Sequence, residues 1–312
     1  MSAAPVVIAF GGNALLPDPF QPEEQEERAA GLAEALALLA PRDAGLVLVH
    51  GNGPQVGMIL LRVEATRHEL PAEPLDVLVA ETQGSVGLLL CRALSSAFAH
   101  RKRRWGVSAV LTQVVVDGED PKLLRPDKPV GPFYDAERAA RLRDEQGWEL
   151  VEQVGRGWRR VVASPAPLEV VEVEAIRHAA RPGQIVVAGG GGGVPVLREA
   201  DGSLRPIEGV VDKDRTACLM ARQLDAGSFV ILTGVPCVVR GFGGPHPEPL
   251  HQLDRARARA LLEAGEFPPG SMGPKIEAAL DYVEATGRAA LITDTESLSD
   301  ALQGRTGTWI RP

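Results

Sequence analysis

Val6-Val7-Ile8-Ala9-Phe10-Gly11-Gly12-Asn13 reads as a buried strand that breaks at once into a glycine loop. Five consecutive apolar residues, two of them valines and one isoleucine, suit a strand covered on both faces. Beyond the loop, charged Glu23 to Arg28 leads into an Ala/Leu helix that stops near Pro41. The same unit recurs at Gly45 to His50, which runs into Gly51-Asn52-Gly53-Pro54. Further strands are expected at Val107 to Gln113, Arg160 to Ala163, Gln184 to Ala188, Phe229 to Thr233 and Ala289 to Ile292, mostly with helical stretches between them. Continuous apolar strands alternating with helices make the fold class α/β, with a central, mostly parallel sheet. Ligands of such sheets bind at the carboxyl ends of the strands, where these glycine loops sit.

Two stretches break the alternation. Asp117 to Trp158 carries Pro121, Pro126, Pro129 and Pro132 among many charges and reads as an inserted, protruding subdomain. Gly241 to Pro249 is dense in Gly and Pro and is expected to be an irregular loop.

At 312 residues, with 45% hydrophobic and 24% charged residues, the chain has the composition of an ordinary globular protein. A net charge of −8 argues against a general nucleic-acid or membrane-surface partner. The three cysteines, Cys91, Cys218 and Cys237, form no CxxC, and the expected location is the reducing cytoplasm. No histidine spacing suits a transition metal, and neither a GxSxG elbow nor a GxxxxGK[ST] loop is present. The Arg101-Lys102-Arg103-Arg104 run is read as the solvated end of a helix.

A compositional bias singles out certain side chains. Of 33 cationic residues only five are lysine, Lys102, Lys122, Lys128, Lys213 and Lys275, and asparagine occurs only at Asn13 and Asn52. Lysine and asparagine that persist under such a bias mark places where a compact ammonium or a carboxamide is needed. In Gly270-Ser271-Met272-Gly273-Pro274-Lys275, Pro274 suits a first helical position, and Ile276, Ala279, Leu280 and Val283 continue an amphipathic helix. Lys275 thus falls in a first helical turn, where the helix dipole opposes a cation unless an anion is shared with it. Lys213, between Asp212 and Asp214, repeats the arrangement; Asp212 as a plain helix cap is the alternative reading. The pentaglycine Gly189 to Gly193 requires either close backbone approach to a ligand or several positive φ angles. His50 is read as a loop organiser or a catalyst.

Taken together, Gly11-Gly12-Asn13-Ala14-Leu15, His50-Gly51-Asn52-Gly53-Pro54-Gln55-Val56-Gly57, Lys128-Pro129-Val130-Gly131-Pro132-Phe133-Tyr134, Gly155-Arg156-Gly157-Trp158, the pentaglycine, Asp212-Lys213-Asp214 and Gly270 to Lys275 resemble carbamate kinase, of the amino-acid-kinase fold. The resemblance runs almost end to end. It implies an αβα sandwich in two lobes, residues 1–208 for the carbamoyl substrate and 209–312 for the nucleotide, with the subdomain inserted at about 117–158. The implied reaction is reversible phosphoryl transfer between ATP and carbamate, with Mg²⁺ carried on the nucleotide phosphates and no dedicated metal site on the protein. A homodimer acting on small molecules is implied as well.

On that reading Lys128, Lys213 and Lys275 clamp the moving phosphoryl group, and Asp212 and Asp214 orient Lys213. Gly11, Gly12, Asn13, Gly51, Asn52, Gly53, Gly190 and Gly191 cradle the phosphoryl and carbamate groups. Thr233, Gly234, Val235, Ser271, Met272, Gly273 and Lys275 face the nucleotide. The alternatives are a kinase of the same fold for another small carboxylate or phosphate acceptor, and a non-catalytic nucleotide- or anion-binding protein.

Overall fold

The computed structural model describes residues 3–11, 15, 21–41, 43–268 and 270–312. An eight-stranded sheet runs through it in the order Gln252–Asp254, Thr308–Arg311, Ala290–Thr293, Ser228–Leu232, Val6–Phe10, Leu46–His50, Gln184–Val187, Gly106–Ala109. All neighbours are parallel except Ala290–Thr293 against Thr308–Arg311. The sheet continues across the expected border between residues 208 and 209, because Val6–Phe10 pairs with Ser228–Leu232 along its whole length.

The two faces of the strands bury different halves of the core, as the period of two requires. Val7, Ala9, Val47, Val49, Phe229 and Ile231 pack with the helices Lys213–Gln223 and Gly273–Thr286. Ile8, Phe10, Leu46, Leu48, Val230 and Leu232 pack with the helices Pro22–Leu39 and Leu75–His100. Leu75–His100 is long and apolar enough to cross a membrane by length and composition alone. Its Leu78, Leu90, Leu94 and Phe98 are, however, wholly buried inside the protein.

The expected strand Val107 to Gln113 is two strands in different sheets, Gly106–Ala109 in the main one and Gln113–Val116 in a four-stranded one with Val194–Arg198, Leu204–Pro206 and Pro167–Val170. The chain leaves the first sheet because the Gln83 amide captures Thr112, donating to its carbonyl at 3.0 Å and accepting from its N–H at 2.7 Å.

The region read as an insertion holds a three-stranded sheet, Lys128–Tyr134, Gly157–Val162 and Leu150–Gln153, with the helix Ala136–Gln146 against it. Gly157–Val162 runs past the expected end at Trp158. Lys128–Tyr134 is a strand despite Pro129 and Pro132, since it lies at the sheet edge and its register shifts between Val130 and Tyr134. Gly241 to Pro249 was expected to be irregular throughout, but its last two residues belong to a small hairpin, Val238–Arg240 with Glu248–Leu250. The basic run after Leu75–His100 is not simply solvated: Arg103 donates to the Ala37 and Ala40 carbonyls and stacks on Phe98 and Trp105. It thereby satisfies the carbonyl end of a neighbouring helix.

Candidate active site

Strand register brings the loops together. Phe10 lies opposite both His50 and Leu232, so Gly11, Gly51 and Thr233 leave three adjacent strands at one edge. The Gly51 N–H donates to the Phe10 carbonyl at 2.9 Å and that of Thr233 to the Thr293 carbonyl at 2.8 Å, fixing where each loop starts. Above this edge opens a cleft of about 1160 Å³. Gly11, Gly51, Asn52, Gly53, Lys128, Gly191, Asp212, Lys213, Asp214, Thr233, Gly234, Ser271 and Lys275 all face it.

The charged cluster sits where two helices begin. Lys213 starts the helix Lys213–Gln223, and Lys275 lies in the first turn of Gly273–Thr286 behind Pro274. Both ammonium groups meet one buried carboxylate: Lys213 Nζ lies 2.5 Å from Asp214 Oδ1 and Lys275 Nζ 3.0 Å from Asp214 Oδ2. Asp212 was expected to orient Lys213 or to cap its helix; it caps the helix and pairs with Lys128, leaving the contact with Lys213 to Asp214. Asp212 Oδ1 caps the helix by accepting from the Asp214 N–H at 2.9 Å, while its Oδ2 lies 2.8 Å from Lys128 Nζ. Lys128 reaches it from the strand Lys128–Tyr134, so one ion pair joins the three-stranded unit to the start of the helix Lys213–Gln223.

Burial would raise the Asp212 carboxyl, but Lys128, Lys213 and the N–H of Asp214 outweigh it and hold the group well below the usual carboxylate range. Burial also lowers the Lys213 ammonium below an ordinary lysine; Asp214 opposes this, and Lys275 adds to it. Three ammoniums against two carboxylates leave the cleft short of negative charge, and a phosphate would supply it.

The pentaglycine is held against protein, and Gly191 of its five residues also faces the cleft. Gly189, Gly191, Gly192 and Gly193 have positive φ, which was one of the two expected reasons for the pentaglycine. A Cβ on Gly191 would come 2.1 Å from Asn52 Nδ2, and one on Gly190 would come 2.4 Å from His50 Nε2. Asn52 is in turn anchored by donating to Thr82 Oγ1 at 2.8 Å. His50 is an organiser: its Nδ1 lies 3.1 Å from the Gly51 carbonyl, and burial pushes its pKa down to about 4, so it is neutral at pH 7.

Four expected site residues stand back from the cleft. Gly190 and Gly273 are buried in the backbone beneath it, Met272 packs on the core, and Val235 is half-buried beyond Gly234. Gly12 and Asn13 lie outside the described residues. Sequence reading missed Arg28, which lines the cleft from the helix Pro22–Leu39 and pairs with Glu24 at 2.7 Å, and also Thr295 and Glu296. It missed the seat of the subdomain too, where Tyr134 Oη donates to Glu64, which also pairs with Arg138 at 3.3 Å. The three cysteines are free, and burial together with the Asp281 charge pushes the Cys218 thiol up to about 12.

A continuous α/β sheet with lysine-bearing helix starts and glycine loops at its carboxyl edge defines a phosphate-handling enzyme fold, and the chain belongs to the amino acid kinase family, whose family model matches residues 4–294. Among its relatives, carbamate kinase of Pyrococcus furiosus is 42% identical over 98% of this chain and 99% of its own. The carbamate kinase-like protein YahI of Escherichia coli is also 42% identical, over 98% of each chain. The solved structure of carbamate kinase from Giardia lamblia bound to AMP-PNP superimposes with a TM-score of 0.91 at 35% identity, over 99% of this chain and 98% of that one.

Proposed function

We propose that this enzyme is a carbamate kinase, transferring a phosphoryl group reversibly between ATP and carbamate. The observation that carries the reading is the pair of lysines, Lys213 and Lys275, fixed by one buried carboxylate at the starts of two helices that open onto the cleft. A phosphoryl group in flight spreads negative charge over its equatorial oxygens, and catalysis consists of positioning plus fixed positive charge around them. Lys213 and Lys275 supply that charge from the nucleotide side, and Asp214 sets their spacing. Lys128 supplies it from the subdomain, with Asp212 holding it at the rim.

Carbamate is small and planar, so the backbone N–H groups of Gly11 and Gly53 and the Asn52 carboxamide suit its recognition, while the Gly51 N–H, spent on the Phe10 carbonyl, fixes the loop. In this reading residues 1–208 hold the carbamoyl substrate and 209–312 the nucleotide, with Thr233, Gly234 and Ser271 on the nucleotide side. Mg²⁺ bound through the nucleotide phosphates adds charge neutralisation. Asp212 and Asp214 already answer to lysines, so the protein's own part is to aim ammonium groups rather than to ligate metal. The working form is a homodimer in the cytoplasm, where the unpaired cysteines remain reduced.

The test is ATP formation from ADP with carbamoyl phosphate, acetyl phosphate and an acylamino-acid phosphate offered separately. Preference for carbamoyl phosphate by about tenfold or more in kcat/KM supports the reading. Turnover of another acyl phosphate alone would assign a different acceptor, and nucleotide binding without turnover would make the protein a binder.

A further inference from the structure

Outside the cleft, the inserted subdomain carries a second concentration of positive charge. Arg156 lies in the turn that follows Leu150–Gln153, its N–H donating to the Gln153 carbonyl at 2.9 Å, and Arg159 lies on the strand Gly157–Val162. Both guanidinium groups stack on Phe133, with Cζ at 4.3 Å and 5.3 Å from the ring centroid. Their neighbours are compensated: Arg138 meets Glu64, and Arg160 meets Glu208. Arg156 and Arg159 form no ion pair among the described residues. Arg159 uses a single N–H, donating Nε to the Gly131 carbonyl at 2.9 Å.

Two like charges on one ring repel each other, and the ring face offsets only about 0.5–2 kcal/mol per cation. Arg159 is half-buried, and burial, followed by the Arg156 charge, lowers its pKa. The remaining guanidinium N–H groups form two forks suited to bidentate oxyanion contacts. One carboxylate would balance half of this charge, whereas a phosphate dianion balances all of it.

We propose that Arg156 and Arg159, held together on Phe133, form an anion-binding site for a phosphate-class dianion, separate from the catalytic cleft. The ligand is either free phosphate or the phosphoryl end of an acyl phosphate. A bound dianion ties the turn to the Gly131 backbone, on the strand that carries Lys128. This site stands whether or not carbamate is the enzyme's acceptor.

The test follows the arginine side-chain Nε–Hε NMR signals of the whole protein during titration with inorganic phosphate. Arg156 and Arg159 signals are identified by their loss in Arg156→Gln and Arg159→Lys. The two signals are expected to shift together along one saturable curve, half-complete at about 1 mM or below. Arg156→Gln, an exposed position that leaves the fold alone, is expected to weaken the Arg159 response at least about tenfold. A parallel titration with acetyl phosphate names the source by which of the two binds more tightly. An Arg159 response unchanged in Arg156→Gln would show that the shift is relayed from the cleft and would overturn the proposal, as would signals that do not move in either titration.

Discussion

Replacing Asp214 by asparagine isolates the charge that organises the cleft while keeping the shape of the side chain. The carboxylate is 3% exposed, and Lys213 and Lys275, at 13% and 14%, each take a different oxygen of it. The amide keeps one acceptor but turns its nitrogen toward an ammonium, so one lysine loses its partner and the other faces a neutral group. Removing one member of a buried ion pair typically costs about 3–5 kcal/mol, because the partner charge is left uncompensated. Both lysines also face the open cleft and relax toward water, so about 3 kcal/mol at pH 7 is expected, read by urea unfolding.

The kinetic effect has a distinct form. Released from Asp214, the ammoniums bind anionic ligands no less well, yet they no longer sit where charge develops in the transition state. kcat for ATP formation is therefore expected to fall about 10²–10³-fold, with KM for ADP unchanged or lower. A kcat within about twofold of wild type, or a loss confined to KM, would refute this assignment of Asp214.

Other consequences are equally direct. Lys128→Ala is expected to lower kcat/KM by about 10²-fold while changing urea stability by no more than about 1 kcal/mol, because its ion pair is partly solvated; equal losses in both would argue for a structural lysine. His50 titrates near 6.5 unfolded and about 4 folded, so the unfolded chain binds the extra proton between those values. Stability therefore rises with pH across that window and is lost as pH falls through it, by about 3 kcal/mol from this group. His50→Gln is expected to flatten that part of the profile, and an unchanged slope would contradict it. Gly191→Ala places a Cβ 2.1 Å from the Asn52 amide at a φ of +69° and is expected to destabilise by about 2 kcal/mol or more and to impair turnover; a neutral effect in thermal unfolding and rate would show that the loop is free to move. Tyr134→Phe leaves the part-buried Glu64 with one donor fewer and is expected to cost about 1–3 kcal/mol, read by urea unfolding.

The sequence exposed those parts of the structure that depend on local periodicity. Val6–Phe10 was readable to the residue because an apolar strand and a glycine loop each leave a signature within eight positions. Lys213 and Lys275 were readable because a cation in a first helical turn is locally unfavourable and needs a reason. Other features depend on partners far along the chain. The break of the strand at Val110 to Thr112 is imposed by Gln83. Likewise, the meeting of both lysines on Asp214 joins residues 61 apart. No periodicity announces that Arg28 reaches the cleft or that Tyr134 seats the subdomain on Glu64, since both follow from tertiary packing. Pro129 and Pro132 spoke against a strand at Lys128–Tyr134, and only its edge position makes the strand possible.

The proposed function has the cleft move a phosphoryl group between carbamate and nucleotide with Lys213 and Lys275 as its charge clamp. It is tested most directly by the initial rate of ATP formation from ADP and carbamoyl phosphate with Mg²⁺, for the wild type and for Lys213→Ala and Lys275→Ala. The account expects robust wild-type turnover and a loss of about 10²-fold or more in each variant, with the variants still folded by circular dichroism. Wild-type rates in either variant, or a wild type that binds ADP but forms no ATP, would contradict it.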